Sequence, residues 1–201
     1  MSRPRTALLV DEYSEVVDLS GRGLSDTTSL VRCVRLSALK LEGNQHLQSV
    51  EGLQQCSRLW TLDLRGCALT SCTPLIQLGA LSELHLGNNK LSLPSVLKLH
   101  SMAIGRLGLQ GNPLLLDTTR ASLNVKPGVD DSRVLRSFLA DELPCVVAID
   151  DSFVTSAQLP EAARVRRVRA HRAPAKTYLP LARSISLCVC RRRAARMSAL
   201  L

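Results

Sequence analysis

Leucines recur in one pattern at five places along the chain. The five segments are SEVVDLSGRGL (14–24), LSALKLEGNQH (36–46), LWTLDLRGCAL (59–69), LSELHLGNNKL (81–91) and IGRLGLQGNPL (104–114). Each segment has aliphatic residues at its fourth and sixth positions, and the residue between them is polar or glycine. The sixth positions are Leu19, Leu41, Leu64, Leu86 and Leu109, separated by steps of 22, 23, 22 and 23 residues. Steps this regular predict a repeat architecture.

The pattern resembles the leucine-rich repeat, L-x-x-L-x-L-x-x-N/C-x-L. Its length is similar to that of the short repeat class in phosphatase-regulatory, spliceosomal and dynein-associated members of the family. The resemblance implies an α/β fold. It would be a short, right-handed solenoid with parallel strands on the concave face and short α or 3₁₀ turns on the convex face. It implies an N-terminal extension (1–13), about five repeats (14–129), a C-terminal cap (130–154) and a basic tail (155–201).

Each L-x-L triplet is expected to form a short strand, because alternate residues of a strand face opposite sides of a sheet. The two leucines would then point into the solenoid, and the residue between them would point outward. One repeat cannot bury its leucines alone, but stacked repeats share a continuous core. The segments TPLIQL (73–78) and LPSVLKL (93–99) contain prolines where a first helical turn tolerates them, and they predict the convex turns. Their inward residues would be Leu75, Leu78, Val96 and Leu99.

The ninth position of the repeat predicts a buried turn. It holds Asn44, Cys67, Asn89 and Asn112 in four repeats and Arg22 in the first. A side chain turned inward here must pair with backbone groups that no strand ladder reaches. Asparagine offers both a donor and an acceptor for this purpose, whereas cysteine is a weaker substitute. Arg22 does not suit the interior, so the first repeat is expected to be a cap.

Residues 130–154 predict a different end to the array. Leu135, Phe138, Leu139 and Leu143 recur at helical spacing, and Pro144 follows them as a helix stop. The strand-like CVVAID comes next (145–150). This order is similar to the C-terminal cap of short leucine-rich-repeat proteins, except that Asp151 stands where glycine is common. Phe138 is expected to plug the open end of the solenoid.

The positive charge of the chain lies in its last quarter. The net charge is +9; residues 1–154 contribute −1 and residues 155–201 contribute +10. One interpretation of 155–201 is a disordered, solvated extension. A second is a segment that binds an anionic partner such as RNA, an acidic protein or a tubulin-like surface. A membrane-associated segment acylated at Cys188 or Cys190, and a misassigned reading frame, also remain open.

Other classes are disfavoured by composition. Aromatic residues make up only 2% of the chain, which argues against a base-stacking nucleic-acid binder. The seven cysteines have no paired spacing and the four histidines fall in different phases of the repeat, so neither a disulfide framework nor a metal site is expected. No apolar run is long enough for a signal peptide or a membrane span, which favours a reducing intracellular compartment. No cofactor is expected.

The concave face is the candidate site. Residues at the second, third, fifth and seventh positions of neighbouring repeats should lie about 5 Å apart. The candidates for protein binding are Lys40, Glu42, Trp60, Asp63, Arg65, Glu83, His85 and Arg106. A tryptophan among charges is typical of an interaction hot spot. The alternatives are that Trp60 covers the edge of the core and that the charges are only solvated.

Catalysis is not expected on this face. Asp63 and His85 would be neighbours, which suggests a general base, but no serine or cysteine beside His85 could serve as a nucleophile. An open face also does not exclude water. The chain is therefore predicted to be a non-enzymatic adaptor or regulatory subunit that binds a protein partner.

The resemblance ranks the partners to test: cytoskeletal or ciliary motor components, then a phosphatase, then a splicing protein. The expected location is the cytoplasm, at the cytoskeleton or cilium, with the nucleus as the alternative. The alternative function is an RNA- or ribonucleoprotein-associated factor that uses the basic tail.

Overall fold

A computed structural model describes residues 10–114 and 131–154 of the chain. Within these ranges the backbone forms one sheet whose strands follow chain order. The strands are β1 (Val16–Asp18), β2 (Ala38–Lys40), β3 (Thr61–Asp63), β4 (Glu83–His85), β5 (Arg106–Gly108), β6 (Ala148–Ile149) and β7 (Ser152–Phe153). Strands β1 to β6 are parallel, and only the last pair, β6 and β7, is antiparallel.

The register of the sheet is set by the repeat. The middle residues of β1 to β5 pair in sequence, so Leu39, Leu62, Leu84 and Leu107 stack in one row behind Val17. These four leucines are almost fully buried. The strands are only three residues long because each repeat supplies a single L-x-L triplet before the chain turns away. The predicted α/β solenoid with parallel strands is confirmed.

Short helical turns cover the opposite side of the core. They are the 3₁₀ helices Thr28–Leu30, Glu51–Gln55, Thr73–Gln77 and Lys98–Ser101, and the helix α1 (Leu93–Leu97). Pro74 and Pro94 occupy the first turn of their helices, where a missing N–H costs nothing. The four residues expected to face inward from these turns, Leu75, Leu78, Val96 and Leu99, are buried.

The ninth-position asparagines tie neighbouring repeats together. Asn89 donates to the carbonyl oxygens of Leu86 (3.0 Å) and Leu64 (2.8 Å) and accepts from the backbone N–H of Leu69 (3.1 Å). Asn44 makes the same three kinds of contact with its own repeat and the preceding one, and Asn112 repeats them at the far end. The turns at these positions therefore bury their backbone groups in paired form, as the spacing predicts.

Cys67 is a weaker member of this row. Its thiol lies 3.4 Å from the Leu41 carbonyl oxygen, and it has no amide oxygen to accept a bond from the preceding repeat. The chain compensates locally, because the N–H of Leu47 bonds to the Asn44 carbonyl oxygen within its own turn. Arg22 is exposed, which agrees with its exclusion from the row.

The C-terminal cap begins with helix α2 (Asp131–Glu142), which ends just before Leu143 and Pro144. Leu139 and Leu143 are buried against the last repeat, and Phe138 packs partly buried beside them. The strand predicted over 145–150 is shorter, because only Ala148–Ile149 pairs with β5.

A tight hairpin follows β6, and the pattern of residues did not predict it. Asp150 and Asp151 have φ angles of +48° and +61° and turn the chain into β7. Both residues lie in the left-handed region that favours glycine, which accounts for the glycine usual in this place. The carboxylate of Asp150 accepts the N–H groups of Leu109 and Gln110. In the repeats before it, a strand carbonyl oxygen does this for the corresponding leucine.

The expectations for 1–9, for the insertion up to residue 130 and for the basic tail from residue 155 lie outside the described residues. The domain boundaries stay a prediction.

Candidate protein-binding face

We define the concave face as the outer side of the sheet, formed by the third, fifth and seventh positions of each repeat. The pairing of β3 with β4 places Asp63 beside His85, and the pairing of β4 with β5 places Glu83 beside Arg106. Lys40 stands beside Asp63 from the other side. Residues that are 22 or 23 positions apart in the sequence thus become neighbours, as the repeat predicts.

Arg65 is the centre of a fixed charge network on this face. Its guanidinium lies 2.6 Å from Asp63 Oδ2 through one terminal nitrogen, and its Nε is 3.0 Å from Asp63 Oδ1. The same terminal nitrogen lies 3.0 Å from Glu42 Oε2. A planar guanidinium held at two edges by carboxylates is pre-oriented, so it loses little freedom when a partner binds.

Asp63 lies deeper than its position in the sequence suggests. Only 5% of the residue is exposed, because Arg65 covers it. Burial raises the pKa of Asp63, but the hydrogen bonds from the side chain and backbone of Arg65, helped by nearby His85, outweigh this and leave the pKa below its usual value. Asp63 therefore orients Arg65 through their ion pair and offers little surface to a partner.

The second ion pair on the face is looser. Arg106 Nε lies 3.5 Å from Glu83 Oε1, and both side chains are partly solvated. Thr61 lies at 3.5 Å from the other oxygen of Glu83. Lys40 is exposed and lies near Asp18, whose pKa is lowered mainly by hydrogen bonds from Ser20. These charges are placed together but are less constrained than Arg65.

Trp60 stands at the edge of the concave face, immediately before β3. It is 57% exposed, so more than half of the residue is open to a partner. Its backbone is fixed on both sides, since its N–H bonds to the Ser37 carbonyl oxygen and its own carbonyl oxygen accepts from Ser82 and Glu83. The small side chains of Ser37 and Ser82 flank it at the same position of the neighbouring repeats. The indole is thus an exposed apolar group on a rigid support.

A depression of about 480 Å³ lies at the C-terminal end of the face. Gly87 and Gly108 line it and leave it open, since a Cβ on Gly108 would lie against His85 and one on Gly87 against Arg65 and Gln110. Phe153, which is 64% exposed, and the hairpin carboxylates Asp150 and Asp151 form its far wall. The candidates from the sequence included Glu42, Arg65, His85 and Arg106, all of which line the depression. The candidate list did not include the two glycines or the hairpin residues. The hairpin reaches the depression through a turn that the hydrophobic pattern does not indicate.

The described part of the face offers few side chains suited to covalent catalysis. Asp63 is committed to Arg65, and the described residues of this face include no serine or cysteine beside His85. Within 10–114 and 131–154, no three histidine, cysteine or acidic side chains are grouped to hold a metal ion. The arrangement suits reversible contact with another macromolecule.

Several solved structures are similar to this fold. An internalin C2 from Listeria monocytogenes matches 70% of this chain with a TM-score of 0.50 and 21% sequence identity. The chain has the leucine-rich-repeat fold. It spans about half of that internalin, 54%, and 45% of an internalin F from the same organism, which has a TM-score of 0.44 and 16% identity.

A further leucine-rich-repeat structure, the SNF/U2A′ complex of Drosophila melanogaster, matches 79% of this chain and 82% of its own with a TM-score of 0.48 and 16% identity. No family model matches the chain, and no curated protein sequence matches it. In the part of this leucine-rich-repeat chain that the structure describes, no helix has the length and apolar character needed to cross a membrane.

Proposed function

We propose that this leucine-rich-repeat protein is an adaptor or regulatory subunit that binds another protein across its concave face. The observation that carries the proposal is the rigid, exposed Trp60 beside a strand whose Arg65 is held by two carboxylates. Tryptophan and arginine are the residue types that most often dominate the energy of protein interfaces. Tryptophan is enriched at protein interfaces, so the exposed indole of Trp60 supports a partner that covers it.

The candidate contact residues keep their roles within this proposal. Trp60 and Arg65 would supply anchors, and Lys40, Glu83 and Arg106 would form a polar rim that sets orientation. His85 would lie at the floor of the depression and contact whatever side chain enters it. Asp63 would act indirectly, because it holds Arg65 in place.

A net acidic face favours a protein over a nucleic acid at this surface. The face carries the four carboxylates of Asp18, Glu42, Asp63 and Glu83, and the adjoining hairpin adds Asp150 and Asp151, against the three cations of Lys40, Arg65 and Arg106. Phosphate backbones are bound by an excess of lysine and arginine, which this face lacks. The first partners to test are cytoskeletal or ciliary motor components in the cytoplasm, followed by a phosphatase and a splicing protein.

The test begins with affinity capture by the full-length chain and identification of partners by mass spectrometry. The strongest candidate is then purified and its Kd is measured against the parent, Trp60→Ala and Val31→Ala. Val31 is a matched control because it is also an exposed apolar residue, but it lies next to the Thr28–Leu30 turn on the other side of the core. We expect Trp60→Ala to weaken binding by about 30-fold or more, which corresponds to a hot spot of ~2 kcal/mol.

Val31→Ala should change the Kd by less than about twofold, since isolated surface residues contribute little. Circular dichroism checks that both variants are folded. Equal binding by the parent and Trp60→Ala, with both proteins folded, would contradict the proposed binding face.

A further inference from the structure

The concave face is more acidic than its repeats alone would make it. The repeats contribute Asp18, Glu42, Asp63 and Glu83, and they also contribute the three cations that largely offset them. The excess comes from the hairpin, where the left-handed backbone of Asp150 and Asp151 brings two further carboxylates to the rim of the depression. Asp151 is exposed and lies close enough to Arg65 to influence it electrostatically.

The arginines of the face are already engaged by other carboxylates. Arg65 is held by Asp63 and Glu42, and Arg106 lies against Glu83. Of the carboxylates that line the depression, those of Asp150 and Asp151 form no salt bridge with another described residue, and Phe153 lines the depression with them. Such a site, with an aromatic ring and carboxylates around an open space, suits guanidinium groups, which stack on rings and pair with carboxylates.

The chain itself carries a segment of this chemistry. Residues 164–172 read RVRRVRAHR and contain five arginines and no acid. This segment follows the hairpin in the sequence, and only nine residues separate it from Val154, which packs on the core. Nine residues can span up to ~30 Å, and the five repeat strands are ~20 Å across, so every part of the face is within reach.

We propose that the basic segment 164–172 docks in cis on the acidic end of the concave face, over the depression beside Asp151 and Phe153. This inference rests on the proposed function, because the segment would occupy the same face as the partner and compete with it. A tethered segment has an effective concentration in the millimolar range, so even weak pairing would give substantial occupancy. The contact is electrostatic and weakens as salt is added.

The test uses a synthetic peptide of residues 160–172 as the probe and the full-length chain as the receptor. Its binding to the native chain is compared with binding to a tail-neutral chain, defined as the chain in which all five arginines of 164–172 are replaced (Arg164→Gln, Arg166→Gln, Arg167→Gln, Arg169→Gln and Arg172→Gln). We expect the peptide to bind the tail-neutral chain at least about tenfold more tightly, because the native segment already occupies the site. Added salt should weaken that binding.

Two further variants of the tail-neutral chain locate the site. Asp151→Asn removes one charge of the rim and keeps a residue that tolerates the left-handed backbone, and it should weaken peptide binding about threefold or more. Glu51→Gln removes an exposed carboxylate from the convex 3₁₀ turn Glu51–Gln55, and it should leave binding unchanged.

Several outcomes would overturn the inference. Equal peptide binding by the native and tail-neutral chains would show that the segment does not occupy the face in cis. Absence of binding to either chain would show that the face does not accept this segment, and equal effects of Asp151→Asn and Glu51→Gln would show that the attraction is not local. If a captured partner still depends on Trp60 in any of these cases, this inference fails and the proposed function stands. Conversely, if the peptide occupies the face but Trp60→Ala leaves the partner's Kd unchanged, the proposed function fails, and the docked segment does not compete with that partner.

Discussion

Asn89 holds two turns of the chain together through one amide group. Its nitrogen donates to carbonyl oxygens of two successive repeats and its oxygen accepts an N–H from the earlier one. The spacing of the repeat predicted that a side chain at this position pairs with backbone groups of the turn, because Asn recurs there at Asn44 and Asn112, but it did not predict the bonds to the preceding repeat. The energetic consequence follows from burial: groups that lose a partner inside the protein cannot regain one from water.

Asn89→Ala should lower the free energy of unfolding by roughly 1–3 kcal/mol, because it leaves buried backbone groups unpaired. Cys67→Ala should cost less than about 1 kcal/mol, since the thiol makes only weak contacts and Leu47 is paired elsewhere. Lys90→Ala is the exposed neighbour that serves as control. Chemical denaturation measures all three, and an Asn89→Ala protein as stable as Lys90→Ala would refute the role of the ninth position.

The burial of Asp63 could not be predicted from its place in the repeat. An outward strand position indicates solvent, but the cover comes from Arg65, two residues along the chain, which folds back over the carboxylate. Whether an arginine reaches outward or backward depends on the local charges and not on the hydrophobic pattern. The network is therefore visible only in the structure.

Arg65→Met should change how stability depends on pH. In the parent the folded pKa of Asp63 lies below its unfolded value, so the group adds stability above that unfolded value and loses it as the pH falls through the folded pKa. Without the guanidinium, only the backbone N–H of residue 65 and nearby His85 still oppose burial, so the pKa of Asp63 is higher than in the parent and the group contributes less stability at neutral pH. Denaturation at about pH 6 and about pH 2.5 should show a smaller gain toward pH 6 in Arg65→Met than in the parent.

Glu42→Gln is the matched control for this comparison, because it removes a second, exposed partner of Arg65 and leaves Asp63 paired. Its pH dependence should follow that of the parent. Identical pH profiles for Arg65→Met and the parent would contradict the assignment of Arg65 as the group that keeps Asp63 charged.

The first two convex turns pack closely against each other. Gly52 lies in the turn Glu51–Gln55, and its N–H donates to the Thr27 hydroxyl of the preceding repeat at 3.1 Å. A Cβ on Gly52 would lie 2.0 Å from the Thr27 carbonyl oxygen, which belongs to the backbone and cannot move aside freely. The absence of a side chain at this point sets how closely the first two turns approach.

Gly52→Ala should therefore destabilise the protein by about 3 kcal/mol, the upper end of the cost of overpacking. Gly79→Ala is the control, since a Cβ on Gly79 meets nothing within 4 Å and that glycine has no positive φ. It should change stability by less than about 0.5 kcal/mol. Thermal or urea unfolding of the two variants distinguishes them, and equal stability would contradict the close approach of the turns.

The elements were unequally predictable from the sequence. Pro74 and Pro94 indicated where turns begin, and the leucine period indicated the strands, because both signals are local or repeated. The hairpin of β6 and β7 carries neither signal. Its strands are two residues long and its turn uses Asp150 and Asp151 where glycine would have been the recognisable residue.

One continuous core runs through the part of the molecule that the structure describes. Cys56, Cys67 and Cys72 come from different turns of the solenoid and all lie inside this core. Burial raises the pKa of each of these thiols to about 11, so they are protonated at neutral pH as well as inaccessible. Their reactivity should report on the opening of the molecule.

We expect alkylation of these three cysteines to be negligible in the folded protein and to appear together as denaturant is raised. A short, capped array shares its interfaces and should unfold as one unit. Peptide mapping by mass spectrometry gives the midpoint for each cysteine, and a fully denatured sample provides the reference for complete labelling. Clearly separate midpoints for Cys56 and Cys72 would show that the repeats open independently.

The sequence predicted the parallel strands in chain order, but it did not predict the charge of the face that they form. The acidic end depends on Asp150 and Asp151, which come from the cap and reach the face only through the backbone geometry of the hairpin. An alignment of equivalent positions in the five repeats does not contain these two residues.

The carboxylate of Asp150 has one more consequence. In every earlier step, the N–H of a strand leucine bonds to a backbone carbonyl oxygen of the next strand, as Leu86 does to Gly108. At Leu109 the side chain of Asp150 supplies the acceptor instead, and beyond it the described sheet continues through the two-residue strands β6 and β7. Growth and termination of the array are thus encoded in separate parts of the gene. A duplicated repeat could lengthen the solenoid and still be followed by the same cap with Asp150 and the β6–β7 hairpin.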